Sequence, residues 1–185
     1  MKKINLFLVF FTLICAFFTI MTELDKGIVV ILKDSSIIFT LTLPYILRKF
    51  FKLDISDTFT FIWIIFIFLA HYLGVTAELY FKIPGFDKVT HTMSGVLSAC
   101  AAYLLLKNKK INDTFFNILF IISFSFMCAG MWEIFEFTCN ALVGGDAQRV
   151  AETGVDDTMW DIIVAFFGST MFIIYVLLKG KLKSK

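Results

Sequence analysis

Two glutamates, Glu133 and Glu136, stand three residues apart inside an apolar run that extends from Phe115 to Val143. The run is long enough to cross a membrane. An ionisable side chain at the bilayer centre costs roughly 3 kcal/mol on insertion scales, so such a residue usually faces a protein interior and a partner. Buried carboxylates can hold a cation, move a proton, or pair with a basic side chain and fix helix packing.

Other acids and a histidine recur near the ends of two further apolar runs. Asp87, Lys88 and His91 open one, and Asp157 and Asp161 open another. His91 falls about 6 Å, one helical turn, beyond Asp87, and Asp161 one turn beyond Asp157. Glu136 and Glu133 lie roughly 8 Å and 12 Å from the end of their helix near Asn140. Residues at i, i+3, i+4 and i+7 share a helix face. Asp87, His91, Ser94, Gly95, Ser98 and Ala102 therefore form one stripe. Ala129, Gly130, Glu133, Glu136 and Asn140 form a second, and Asp157, Asp161, Ala165 and Gly168 a third. His71, Gly74 and Glu78 make a shorter fourth. Small residues mark the faces on which membrane helices approach closely. The charged faces are expected to meet around a pocket.

The whole chain fits a membrane setting. Of its 185 residues 59% are hydrophobic, with 24 Phe, 2 Pro and a mean hydropathy of +0.86; soluble domains seldom exceed about half apolar. A net charge of +2 gives no reason to expect nucleic acid. Cys15, Cys100, Cys128 and Cys139 all lie in apolar runs without metal-ligand spacing, and read as small buried hydrophobes. The fold expected is all-α: a polytopic membrane helix bundle, one transmembrane domain over 1–185. Its spans are expected at about 4–21, 35–51, 58–80, 86–106, 115–143 and 158–178. The first is read as an uncleaved span, since no small-residue cleavage site follows it. Residues 24–51 admit two readings. One is a single span with Lys33 and Asp34 paired near the outer surface. The other, preferred, is an interfacial helix at 24–33 followed by a span kinked at Pro44.

Orientation follows from the basic residues. With both termini inside, the segments 1–3, 48–57, 107–113 and 179–185 hold 12 of the 17 Lys and Arg. Only Asp54, Asp57 and Asp113 of the 15 acidic residues fall there. This arrangement places the histidine–carboxylate layer near the outer, extracytoplasmic surface of a cell membrane.

The motif Phe86-Asp87-Lys88-x-x-His91-x-x-Ser94-Gly95 is followed by Trp132-Glu133-x-x-Glu136. Thr153-Gly154-x-Asp156-Asp157-Thr158-Met159-x-Asp161 comes next, with Gly168 downstream. In this order they resemble the YjdF-like family of bacterial membrane proteins, over roughly residues 40–175. Leu43-Pro44-Tyr45-Ile46-Leu47-Arg48 adds to the likeness. The order is similar, more distantly, to that of VanZ-like proteins. Trp132 stands where relatives often carry Tyr. The resemblance implies a bacterial plasma-membrane protein with these site positions, and no particular reaction.

One histidine among several carboxylates is an oxygen-rich set suited to a hard divalent cation such as Mg²⁺, Mn²⁺ or Ca²⁺. Candidate metal ligands are Asp87, His91, Glu133, Glu136, Asp157 and Asp161. Candidate catalytic residues are His91, Glu133, Glu136 and Asp161, with His91 or Glu133 as general base. Lys88 and Arg149 are expected to hold a phosphate, with Trp132 beside the substrate. The reading is a metal-assisted enzyme acting on a lipid or lipid-linked envelope substrate. Plainer accounts stand beside it. Glu133 could pair with Lys88, and Asp87 and Asp157 could be first-turn acids favoured by the helix dipole. His71 could hydrogen-bond a backbone carbonyl. Trp132 and Trp160 could belong to an interfacial aromatic belt. A structural or regulatory subunit is the main alternative. A cation- or proton-coupled transporter ranks behind it, because the inner halves of the helices are sealed with Phe, Leu and Ile.

Overall fold

The computed structural model describes residues 1–22, 24, 28–111, 113–144, 148 and 150–182, with the side chains of 28–34, 76 and 143 left aside. It is all-helical, with no strand among the described residues. The chain forms two compact units, Met1–Phe86 and Asp87–Lys185. Helices covering Lys2–Thr22, Asp57–Val75, Phe86–Lys109, Thr114–Leu142 and Asp156–Leu178 are long and apolar enough to cross a membrane.

The first unit starts with α1 (Lys2–Thr22) and α2 (Ile28–Phe51), followed by α3 (Asp57–Ile67). Polar groups in hydrocarbon must be satisfied within the protein, and side-chain to backbone bonds here do so repeatedly. Thr12 and Thr19 donate to the carbonyls of Leu8 and Cys15 at 2.8 and 3.1 Å. Asn5 Nδ2 donates to the Asp57 carbonyl at 2.8 Å, joining α1 to the start of α3. Ser56 caps α3 by accepting from the Phe59 amide. Pro44, fully buried inside α2, has no N–H to offer the Thr40 carbonyl four residues back. Trp63 of α3 supplies the missing donor: its Nε1 lies 2.7 Å from that carbonyl. Arg48 turns under the same helix end, with Nε on the Ile55 carbonyl at 2.8 Å and Nη2 on Thr60 and Asp57 at 3.1 and 3.3 Å.

Two expectations for this unit change. The Lys33–Ser36 stretch does not divide α2, which runs unbroken from Ile28 to Phe51 in place of an interfacial helix and a separate span. Its backbone hydrogen bonds absorb the short polar interruption; the side chains of Lys33 and Asp34 lie outside the described residues. The expected 58–80 span also ends early. After α3 the chain widens into a π-helical stretch, Phe68–Thr76. Glu78 then turns left-handed at φ 59°, and α4 (Leu79–Lys82) follows. The Tyr80 ring packs over Gly74, and a Cβ there would force the ring to shift. The wider π turn also removes His71, Gly74 and Glu78 from a common α-helical register. Glu78 pairs instead with Lys82 at 3.0 Å on an exposed surface.

The second unit contains α5 (Phe86–Lys109), α6 (Thr114–Val143), α7 (Val150–Thr153) and α8 (Asp156–Leu178). Asp113 caps α6 by accepting from the Phe116 amide at 2.8 Å. A core of Ala99, Ala102, Leu106, Ile121, Ile173 and Val176 joins α5, α6 and α8. Above it α5 and α8 cross through glycines. A Cβ on Gly95 would run into the Ala165 carbonyl, and one on Gly168 into that of Thr92. Ser98 donates to Ser125 across α5 and α6 at 3.1 Å.

The role given to Trp63 is open to a double-mutant cycle. Trp63→Phe leaves the Thr40 carbonyl unpaired and is expected to cost roughly 1–3 kcal/mol. Pro44→Ala restores the N–H and should remove most of that penalty. Unfolding in mixed detergent micelles measures both, and simple additivity of the two changes would disprove the link.

Candidate functional site

The close α5–α8 crossing sets the geometry of the charged residues. On α8, Asp157, Asp161, Ala165 and Gly168 are all buried, so the stripe that brings the helix against α5 also carries its acids inward. The α5 face opposite carries His91, Gly95 and Ala102. Lys88 reaches across this contact. Its Nζ lies 2.7 Å from Asp157 Oδ1, 2.7 Å from Asp161 Oδ1 and 3.0 Å from Asp87 Oδ2. An ammonium has three N–H donors, and three carboxylates take them.

His91 sits beside the same acids. Its Nε2 is 3.4 Å from Asp87 Oδ1 and 3.8 Å from Asp161 Oδ1. Asp87, His91 and Asp161 each offer one ligand atom, and these atoms lie within 4.8 Å of one another. Two of the three residues are buried. The group therefore combines a fixed cation, Lys88, with a histidine and two carboxylates that converge from two helices.

A model of the family described as "Predicted membrane protein (DUF2238)" matches residues 4–181. The chain belongs to that family. No curated protein and no solved structure matches it. The match extends across both units, so the charged cluster of this family member lies well inside the matched region. The likeness to VanZ-like proteins rests on motif order alone.

The α6 carboxylates occupy a second place. Glu133 is 5% exposed. It does not pair with Lys88, whose donors go to the aspartates. Its Oε2 and its own carbonyl both accept from Gln148 Nε2 at 3.2 Å. Its Oε1 has no hydrogen-bond partner among the described residues. Glu136 is half-buried and accepts from Trp132 Nε1 at 2.8 Å. It lies within electrostatic reach of Glu133, His91 and Asp87. Asp157, a candidate metal ligand with a plainer reading as a helix-dipole acid, does stand in the first turn of α8 and is also held by Lys88. Arg149 lies outside the described residues.

Sequence reading missed two features. Lys88 was expected to bind substrate, but its donors are already engaged. Spacing alone leaves this open, because the partners come from α8, 69 and 73 residues away. Gln148 was missed altogether. It sits in a polar stretch between α6 and α7, where an amide looks like ordinary loop composition. No local pattern marks it as the partner of Glu133.

Removing the lysine tests how firmly the cluster is coupled to stability. Lys88→Met leaves Asp157 and Asp161 buried without their cation and is expected to destabilise the protein by about 3–5 kcal/mol. Adding Asp161→Asn should recover part of the loss. Unfolding in mixed micelles reads both, and an unchanged midpoint for Lys88→Met would show that the ion group is mechanically idle.

Proposed function

We propose that Asp87, His91 and Asp161 bind a hard divalent cation, and that the protein uses this site on a polar group presented at the membrane surface. The observation supporting this reading is the convergence of three ligand atoms from α5 and α8 within 4.8 Å. The donor set of one imidazole and two carboxylates suits Mn²⁺ or Mg²⁺, which leave positions for water or substrate oxygens. Lys88 fixes Asp161 and Asp87 in place and supplies a permanent positive charge. A bound cation would polarise a phosphoryl or carbonyl oxygen. Glu136 is the nearby carboxylate on the third helix that would accept a proton. The substrate class in this reading is a lipid or lipid-linked headgroup of the cell envelope. The YjdF-like motif order supports the positions of these residues and says nothing of the reaction.

A second reading has its own support. Lys88 saturated by three carboxylates is also what a purely structural clamp requires, as in a regulatory or scaffold subunit. Titration of the detergent-purified protein with Mn²⁺ separates the two. Saturable binding by electron paramagnetic resonance and a raised Tm are expected for the wild type. Both should be lost in His91→Gln, which leaves the lysine group intact. A wild-type protein that ignores Mn²⁺ would leave only the clamp.

The same reading counts α2 as a sixth crossing beside the five helices named above, sets both chain ends on the cytoplasmic face by the distribution of basic residues, and opens the charged layer to the opposite side. Alkaline phosphatase fused after Gly144 is expected to be active and after Leu182 inactive. The reverse pattern would invert the topology.

A further inference from the structure

We propose that Glu133 and Glu136 form a subsite for a primary ammonium group, distinct from the divalent-cation ligands. The starting point is Glu133 Oε1, a carboxylate oxygen on a 5% exposed residue that has no hydrogen-bond partner among the described residues. A buried carboxylate oxygen left unpaired is expensive. The other oxygen is held by Gln148, itself 7% exposed, so Glu133 is positioned and not free to rotate toward water. An ionised carboxylate only accepts, so the group that completes Oε1 must donate.

Charge narrows the donor. Asp87, Asp157 and Asp161 gather around Lys88 and His91, and Glu136 lies within electrostatic reach of Glu133, His91 and Asp87. Lys88 is taken up by the aspartates. Even a divalent cation on Asp87, His91 and Asp161 leaves two negative charges, those of Glu133 and Glu136. A cationic donor is therefore favoured over a neutral hydroxyl.

Geometry narrows it again. The glutamates do not join the group of ligand atoms within 4.8 Å, and two carboxylates are a thin shell for a divalent ion, which takes six or more oxygens. A primary ammonium needs only three acceptors, and an aromatic face can replace one of them. Trp132 is 40% exposed and tied to Glu136 by its Nε1. Gly130, one turn below Glu133 on the same face, has open space where a side chain would stand. The ligand chemistry is thus an aminoalkyl group, carried either by an ethanolamine-type lipid headgroup or by a soluble amine.

The test uses the full chain in phosphatidylcholine nanodiscs doped with phosphatidylethanolamine or phosphatidylglycerol, with retained lipid counted by native mass spectrometry. Phosphatidylethanolamine should be retained preferentially. Retention should fall about tenfold in Glu133→Gln, which keeps the amide contact to Gln148 but removes the charge-assisted bond. Glu136→Gln is the second variant, should the first fold poorly. Displacement by free ethanolamine would identify a soluble amine as sufficient, and failure to displace would identify the lipid as the source; either supports the subsite. The Mn²⁺ response of Glu133→Gln is expected to persist, so loss of the ammonium subsite and loss of the cation site are distinguishable. Equal retention of the two lipids, unchanged retention in both variants, or loss of Mn²⁺ binding in Glu133→Gln without any lipid effect would overturn the proposal.

Discussion

The second unit depends on one ammonium group. Lys88 Nζ holds Asp157 and Asp161 of α8 and Asp87 of its own helix at 2.7–3.0 Å. Three acids this close would repel each other strongly in a low-dielectric setting. The lysine makes their approach tolerable, and the approach fixes the meeting of α5 and α8. The glycines make it geometrically feasible: any side chain at Gly95 or Gly168 would strike the opposing backbone. Electrostatics and sterics thus act on the same crossing from neighbouring turns. His91 inherits its place beside Asp87 and Asp161 from that arrangement.

The first unit meets a different demand. Its problem is not charge but unsatisfied backbone in an apolar setting. Pro44 opens a gap in the α2 ladder, and Trp63 fills it from α3. Threonines bond back to their own helices, and Arg48 gathers a carbonyl, a hydroxyl and a carboxylate. Each device satisfies a polar atom without water. The outward-facing Phe and Leu side chains of α1 are left exposed, which suits a lipid boundary.

The helical, membrane-type character was legible before any coordinates, because composition and run length respond directly to hydrocarbon thickness. The α8 stripe was legible too: Asp157, Asp161, Ala165 and Gly168 share a face by α-helical period, and that face is buried. The stripe through His71 and Glu78 was not, because it presumed an α-helical register that the π turn and the left-handed Glu78 break. Backbone irregularity of that kind reflects packing, here Tyr80 over Gly74, and packing has no local period.

By itself the sequence determined which residues lie on apolar helices and which faces carry charge. Hydrophobicity and helical repeat are local properties, and they need no knowledge of neighbours. Only the tertiary structure decided how the charges divide among partners. Lys88 went to the aspartates and not to Glu133, and Gln148 reached back to the glutamate that opened the question. Those choices depend on distances between residues far apart in the chain, set by where two helices can cross. The same choices left Glu133 Oε1 unpaired among the described residues, and so made one of the two glutamates of α6 the most specific clue to a ligand.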